Sequence, residues 1–192
     1  TTKKLSLELG GKSPNIVFAD CDLEAAIGGT MSAIFMNQGQ MCTAGSRLLL
    51  EESIYGKFMQ LLVEKTKKLK IGNALDYQTE FGPVISKEQQ QKALKYIEEA
   101  LKQGATIACG GKIPDVGAVR PDVPISSVGT PTERSERRSE PPLRNGFYLE
   151  PTILENVTNN MKVAQEEIFG PVLVVMKFKD EQQAIAIAND SA

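Results

Sequence analysis

The sequence predicts an α/β fold: an open, largely parallel sheet with flanking helices. Three observations carry that reading. Short apolar runs of strand character, at residues 15–18, 47–50, 105–109 and 172–178, alternate with stretches of helical periodicity. Val172 to Phe178 is apolar almost without interruption, as in a strand covered on both faces. Apolar residues make up 41% of the 192-residue chain against 24% charged, enough for one substantial core.

Each element follows from its local pattern. Leu5-Ser6-Leu7-Glu8-Leu9 alternates apolar and polar, a strand pattern that stops at Gly10-Gly11. A Lys12-Ser13-Pro14 turn leads to a second strand, Asn15 to Phe18. Asp20 or Asp22 caps a helix running to about Met36, with Leu23, Ile27, Met31, Ile34 and Phe35 on one face. Gly28-Gly29 weakens that helix and calls for close packing against a neighbour. Arg47 to Leu50 is a strand, and Ser53 opens an amphipathic helix through about Lys70, whose late lysines suit the helix dipole. A polar loop through Gly82-Pro83 precedes a third helix, Ser86 to Gln103, closed by Gly104. The strand Ala105 to Cys109 follows, with Cys109 a packing residue.

From about 114 to 143 the composition changes to proline, serine, arginine and glutamate, with almost no large apolar side chain after Ile125. Such a stretch buries too little surface to offset its ordering entropy and reads as a disordered insertion. Phe147 to Leu154 resumes as a strand, Asn156 to Met161 is a polar turn, Val172 to Phe178 is the buried strand, and Asp180 to about Ala188 is a last helix.

Composition excludes several function classes. No basic run and few aromatics argue against nucleic acid. No apolar stretch approaches the ~20 residues of a membrane span, and no charged start with an apolar h-region marks a secretory signal. Cys21, Cys42 and Cys109 are odd in number and far apart, which suits neither a disulfide framework nor a CxxC metal site; a reducing, cytoplasmic setting is the simpler reading. The chain contains no histidine. Ser-His-Asp triads, Cys-His dyads and His-based zinc sites within it are therefore excluded, and no metal ligands are expected.

Asn37-Gln38-Gly39-Gln40-Met41-Cys42-Thr43-Ala44-Gly45-Ser46-Arg47 places a cysteine in a glycine-punctuated turn between helix and strand. A nucleophilic thiol needs that context, because backbone must approach a substrate carbonyl closely. A lone free cysteine is nevertheless more often a small buried hydrophobe. Glu8 lies where a strand pattern runs into two glycines; strand ends carry sites in open α/β sheets, but taken alone a solvated carboxylate on a polar face is the better account of it. In Glu166-Glu167-Ile168-Phe169-Gly170-Pro171, a polar turn with a core phenylalanine is the plain reading. With no imidazole available, any base for Cys42 must be a carboxylate, a lysine, or water held by one.

Taken together, Leu7-Glu8-Leu9-Gly10-Gly11-Lys12-Ser13-Pro14, Asn37 to Cys42, and Glu166 to Pro171 resemble the NAD(P)-dependent aldehyde dehydrogenase superfamily in motif, order and approximate separation. The resemblance covers nearly all of the chain outside 114–143. It implies part of one catalytic domain across 1–192, with the cofactor-binding and oligomerisation segments outside it. Cys42 then matches the nucleophile and Glu8 the general base that activates water. The Cys42 backbone N–H matches half of an oxyanion hole. Glu167 matches the residue that binds the nicotinamide ribose, Phe169 the one beside the nicotinamide, and Leu9 and Gly10 its further neighbours. The implied cofactor is NAD or NADP, the substrate a small aldehyde, and the full-length assembly a homodimer or homotetramer. Lys12 and Ser13 stand as turn residues, and Met41 as a tunnel-lining or gap-filling side chain. Two alternatives compete: a cofactor-independent thiol esterase, which the absence of histidine and the Glu167-Phe169 motif oppose, and a truncated, non-catalytic fragment.

Overall fold

The structure, a computed structural model, describes residues 2–114 and 146–191. Five strands, β1 (Pro14–Val17), β2 (Arg47–Glu51), β3 (Thr106–Cys109), β4 (Thr152–Glu155) and β5 (Val172–Phe178), form one sheet in the order β1-β2-β5-β4-β3. Every neighbouring pair is parallel except β3 with β4, which is antiparallel and lies at an edge. The expected largely parallel α/β sheet is observed.

β5 lies at the centre, with Val174 opposite Arg47 on one side and Leu154 on the other. Its apolar run divides by the period of two of a strand. Val172, Val174, Met176 and Phe178 face a core that includes Ala93, Ile97 and Ala184. Leu173 and Val175 face the opposite core, with Ile27, Ile34, Phe58 and Leu62. Both faces are apolar because helices cover both.

Those helices are α1 (Leu23–Phe35) and α2 (Tyr55–Lys67) on one side, and α3 (Lys87–Lys102) and α5 (Glu181–Asn189) on the other; α4 (Lys162–Gln165) is a single turn. Of the two candidate caps for α1, Asp22 serves, its Oδ1 accepting from the Ala25 amide at 3.0 Å. Ser86 and Asp180 cap α3 and α5 in the same way, accepting from Gln89 N and Gln183 N.

Several expectations fail for identifiable reasons. Leu5 to Leu9 is not a strand: none of the five strands runs beside it, and Leu5, Leu7 and Leu9 stand 83%, 73% and 72% exposed. Alternation supplies one apolar face, but a strand also needs a neighbour for its backbone. Phe147 to Leu154 is a strand only from Thr152, since Pro151 has no N–H to donate; Phe147 makes an isolated bridge with Val84. Gly28 and Gly29 are not closely packed, for a Cβ on either would meet nothing within 4 Å. The expected insertion at 114–143 lies outside the described residues apart from Pro114.

Candidate active site

α1 ends at Phe35 and runs into a tight turn, Met36–Gly39, that reverses the chain ahead of β2. Asn37, Gln38 and Gly39 have φ of 50°, 55° and 67°. Asparagine tolerates the left-handed region because its short amide bonds locally: Asn37 Nδ2 donates to the Gln40 carbonyl at 3.1 Å, and the Gln40 amide donates back to the Asn37 carbonyl at 3.1 Å. Gly39 has a second reason to be glycine. A Cβ there would sit 2.3 Å from the Gly170 carbonyl oxygen, so this turn is pressed against Phe169-Gly170-Pro171. Cys42 follows on the exposed surface, and Met41 beside it is 36% exposed. The Gly45 amide ties the exit of the turn to the Ala33 carbonyl at 3.0 Å.

The glycine pair after Glu8 meets the other two motifs. The Gly11 amide donates to Glu167 Oε1 at 3.3 Å. A Cβ on Gly10 would lie 2.3 Å from Glu167 Oε2, and one on Gly11 would lie 3.9 Å from the Cys42 carbonyl oxygen. Gly11, Gly39, Met41, Glu167, Phe169 and Gly170 line one crevice, so residues from all three motifs share a wall. Glu8 and Leu9 are exposed just upstream and do not line it; Cys42 adjoins it through its backbone while its side chain faces solvent. A larger open groove runs along the outer edge of β1 against Gly29 and Ala33, and neither Glu8, Cys42, Glu167 nor Phe169 lines it.

Three residues to which the sequence assigned no site role help build this region. Arg47, the first residue of β2, is fully buried and reaches four acceptors: the carbonyls of Lys12 (2.7 Å), Ile187 (3.0 Å) and Ala188 (2.8 Å), and Asn159 Oδ1 (3.4 Å). It joins the end of the first motif to the end of α5. Lys12 is 6% exposed, and its Nζ has no hydrogen-bond partner among the described residues. Burial pushes this ammonium down to about 8, the nearby Arg47 charge pushes the same way, and Glu167 opposes both. Gln89, in the first turn of α3, donates to the carbonyls of Ile168 and Phe169. A charge heading the apolar run Leu48-Leu49-Leu50 was a signal for Arg47; nothing local distinguished Lys12 or Gln89 from surface residues.

Cys109 is buried, and burial pushes its thiol up to about 11, in keeping with a packing role. Among the described residues no cluster of His, Cys, Asp and Glu is arranged for a metal ion, and no helix is long and apolar enough to cross a membrane. Glu167 is half-buried, and its carboxylate abuts the Gly10-Gly11 backbone. A sugar diol, which brings two O–H donors, fits that group, so the site is chemically compatible with a nucleotide ribose.

A fold of this kind with these three motifs along one crevice matches one family: the aldehyde dehydrogenase model covers residues 1–123 and 130–192, and the chain belongs to the aldehyde dehydrogenase family. The short break in the match falls inside the stretch expected to be an insertion. The chain is 43% identical over 189 residues to a betaine aldehyde dehydrogenase of Bacillus subtilis and 42% identical to one of Brucella ovis. Each match takes in 98% of this chain but 34% of the relative, so the chain spans about a third of the length of these proteins. Among solved structures, the betaine aldehyde dehydrogenase of Staphylococcus aureus in complex with NAD+ superimposes with a TM-score of 0.80 at 42% identity, covering 96% of this chain and 32% of that one. The NAD+ complex of a Bacillus cereus aldehyde dehydrogenase gives 0.81 at 38% identity, covering 98% and 33%.

Proposed function

We propose that the protein carrying this chain oxidises an aldehyde to a carboxylic acid with NAD+ or NADP+, and that this chain is the part of its catalytic domain holding the nucleophile and the base. The observation that supports this best is the meeting of three distant motifs at Gly10-Gly11, with Glu167 on one side and the Cys42 backbone on the other.

In this reading the Cys42 thiol gives its proton to Glu8 or to water, the thiolate attacks the aldehyde carbon, and the carbonyl oxygen becomes an oxyanion facing the Cys42 amide. A donor aimed at charge that develops only in the transition state contributes about 3 kcal/mol. The bound nicotinamide cofactor supplies the hydride acceptor. Loss of hydride from carbon leaves an acyl group on Cys42 Sγ, a thioester. Glu8 takes a proton from water, the hydroxide adds to the acyl carbon, and the thiolate departs with the carboxylic acid released. Thiol catalysis thus splits one difficult oxidation into two easier steps. Glu8 sits on an exposed segment outside any strand or helix and is followed by two glycines, which suits a carboxylate that must approach water after acylation and stand aside before it. Glu167 holds the ribose, while Phe169, Leu9 and Gly10 border the nicotinamide.

The same reading places the protein in the cytoplasm, as a homodimer or homotetramer completed by polypeptide beyond this chain. Residues 1–192 form one partial catalytic domain with an insertion at about 114–143. The relatives' substrate makes betaine aldehyde the first aldehyde to test, beside a simple aliphatic one.

The experiment is aldehyde-dependent NADH or NADPH formation by the intact protein. Cys42→Ala abolishes it, and Glu8→Gln leaves an initial burst of about one equivalent per active thiol followed by a slow steady rate, because acylation survives and deacylation does not. Reduced cofactor formed at the normal rate by Cys42→Ala overturns the proposal. A thiol esterase would hydrolyse esters and reduce no cofactor.

A further inference from the structure

The turn that carries Glu167 is strained and is held from outside. Phe169 adopts φ of 58°, a conformation that a β-carbon disfavours and that a bulky residue keeps only where surrounding structure imposes it. Two adjoining carbonyls of this turn, Ile168 O and Phe169 O, accept from Gln89 Nε2 at 2.8 and 2.7 Å. One primary amide has two protons, and here each goes to a successive carbonyl.

Gln89 is placed for this by α3. The Ser86 hydroxyl caps the helix by accepting from the Gln89 amide at 3.2 Å, which puts the side chain in the first turn. Ser86-Lys87-Glu88-Gln89 has the spacing of a capping box, where the glutamine side chain turns back to the cap residue's own N–H. The Gln89 amide group instead reaches across to the turn after α4. The same approach to α3 touches the nucleophile's turn, since the Ile85 amide donates to Gln40 Oε1 at 2.9 Å.

We propose that Gln89 is a positioning residue: its side-chain amide holds the Ile168-Phe169 peptide in its left-handed bend and so aims the Glu167 carboxylate at the Gly10-Gly11 backbone. The inference deepens the proposed function by assigning a residue that sets the cofactor-facing carboxylate, and its test involves neither aldehyde nor cofactor. The two can therefore fail separately.

The readout is the Gly11 amide, which does not touch Gln89 but donates to Glu167. In an NMR titration of the full chain, the Gly11 N–H resonance moves as the Glu167 carboxylate ionises, and Glu167→Gln removes that movement, which assigns it. Gln89→Glu keeps the size, removes both donors and suits the first turn of a helix, so α3 still forms. It loses the movement at Gly11 while amide exchange in β5 stays unchanged. Gln89→Lys restores donors and restores the movement, which a packing role alone would not require. Persistence of the Gly11 response in Gln89→Glu, or its absence in Gln89→Lys with β5 intact, overturns the proposal. If Gln89→Glu does not fold, Gln89→Leu serves as the donor-free variant and is read the same way.

Discussion

The Gly11 amide donates to the Glu167 carboxylate at 3.3 Å although 156 residues separate them. That bond lets the first and third motifs share a wall, and it depends on an absent side chain next door: a Cβ on Gly10 would stand 2.3 Å from the same carboxylate. Gly10→Ala therefore displaces either Glu167 or the segment carrying Glu8. The expected outcome is a fall of about 10²-fold in kcat/KM in the intact protein, the scale that a displacement of about 1 Å produces in a reacting constellation. Alkylation of Cys42 stays at its normal rate. Steady-state kinetics and a thiol assay on the same sample check both.

The three cysteines differ in access: Cys42 is exposed, Cys21 half-buried and Cys109 buried. Burial also holds the Cys109 thiol up at about 11, so almost none of it is thiolate near neutral pH. Iodoacetamide is expected to label Cys42 first, Cys21 more slowly and Cys109 only on unfolding, as read by peptide mass mapping over time. Equal labelling of all three would contradict this packing.

Lys12 makes the fold sensitive to alkaline pH. Its ammonium is held down at about 8 against 10.5 for the free side chain. Between those values the unfolded chain keeps a proton that the folded chain has released, so stability rises with pH across the window. Below about pH 8 the charged, buried amine carries its full cost, of order 3 kcal/mol. Lys12→Met is expected to raise the unfolding free energy at pH 7 by about 1–3 kcal/mol, with the gain disappearing above about pH 10.5. Urea denaturation at pH 7 and at pH 10.5 measures the difference.

Arg47 is the opposite case, a buried cation whose fork is filled. Arg47→Met leaves the Lys12, Ile187 and Ala188 carbonyls without this donor and unhooks α5 from the first motif. The expected cost is about 3–5 kcal/mol, seen as a lower urea midpoint. Arg47→Lys recovers only part, since an ammonium cannot span acceptors that a planar fork reaches together.

Local patterns carried the reading wherever the cause of structure is local. The apolar run Val172 to Phe178 is the central strand, residue for residue. Asp22, Ser86 and Asp180 cap helices because a short polar side chain ahead of an amphipathic stretch meets unpaired amides. Leu5 to Leu9 marks the limit: its alternation is that of a strand, yet without a neighbour it forms none and stays exposed. The motif around Cys42 was legible, while the left-handed geometry of Asn37 and Gln38 was not.

The identities and order of Glu8, Cys42, Glu167 and Phe169, the absence of histidine, and the alternation of strands and helices are written in the chain itself, because chemistry and periodicity belong to residues and their near neighbours. Tertiary structure alone decided that Gly39 lies against Gly170, that Gly11 meets Glu167, and that Arg47, Lys12 and Gln89 belong to the same region. Those are encounters across a folded sheet between residues with ordinary side chains, and their partners are set by packing rather than by anything adjacent in sequence.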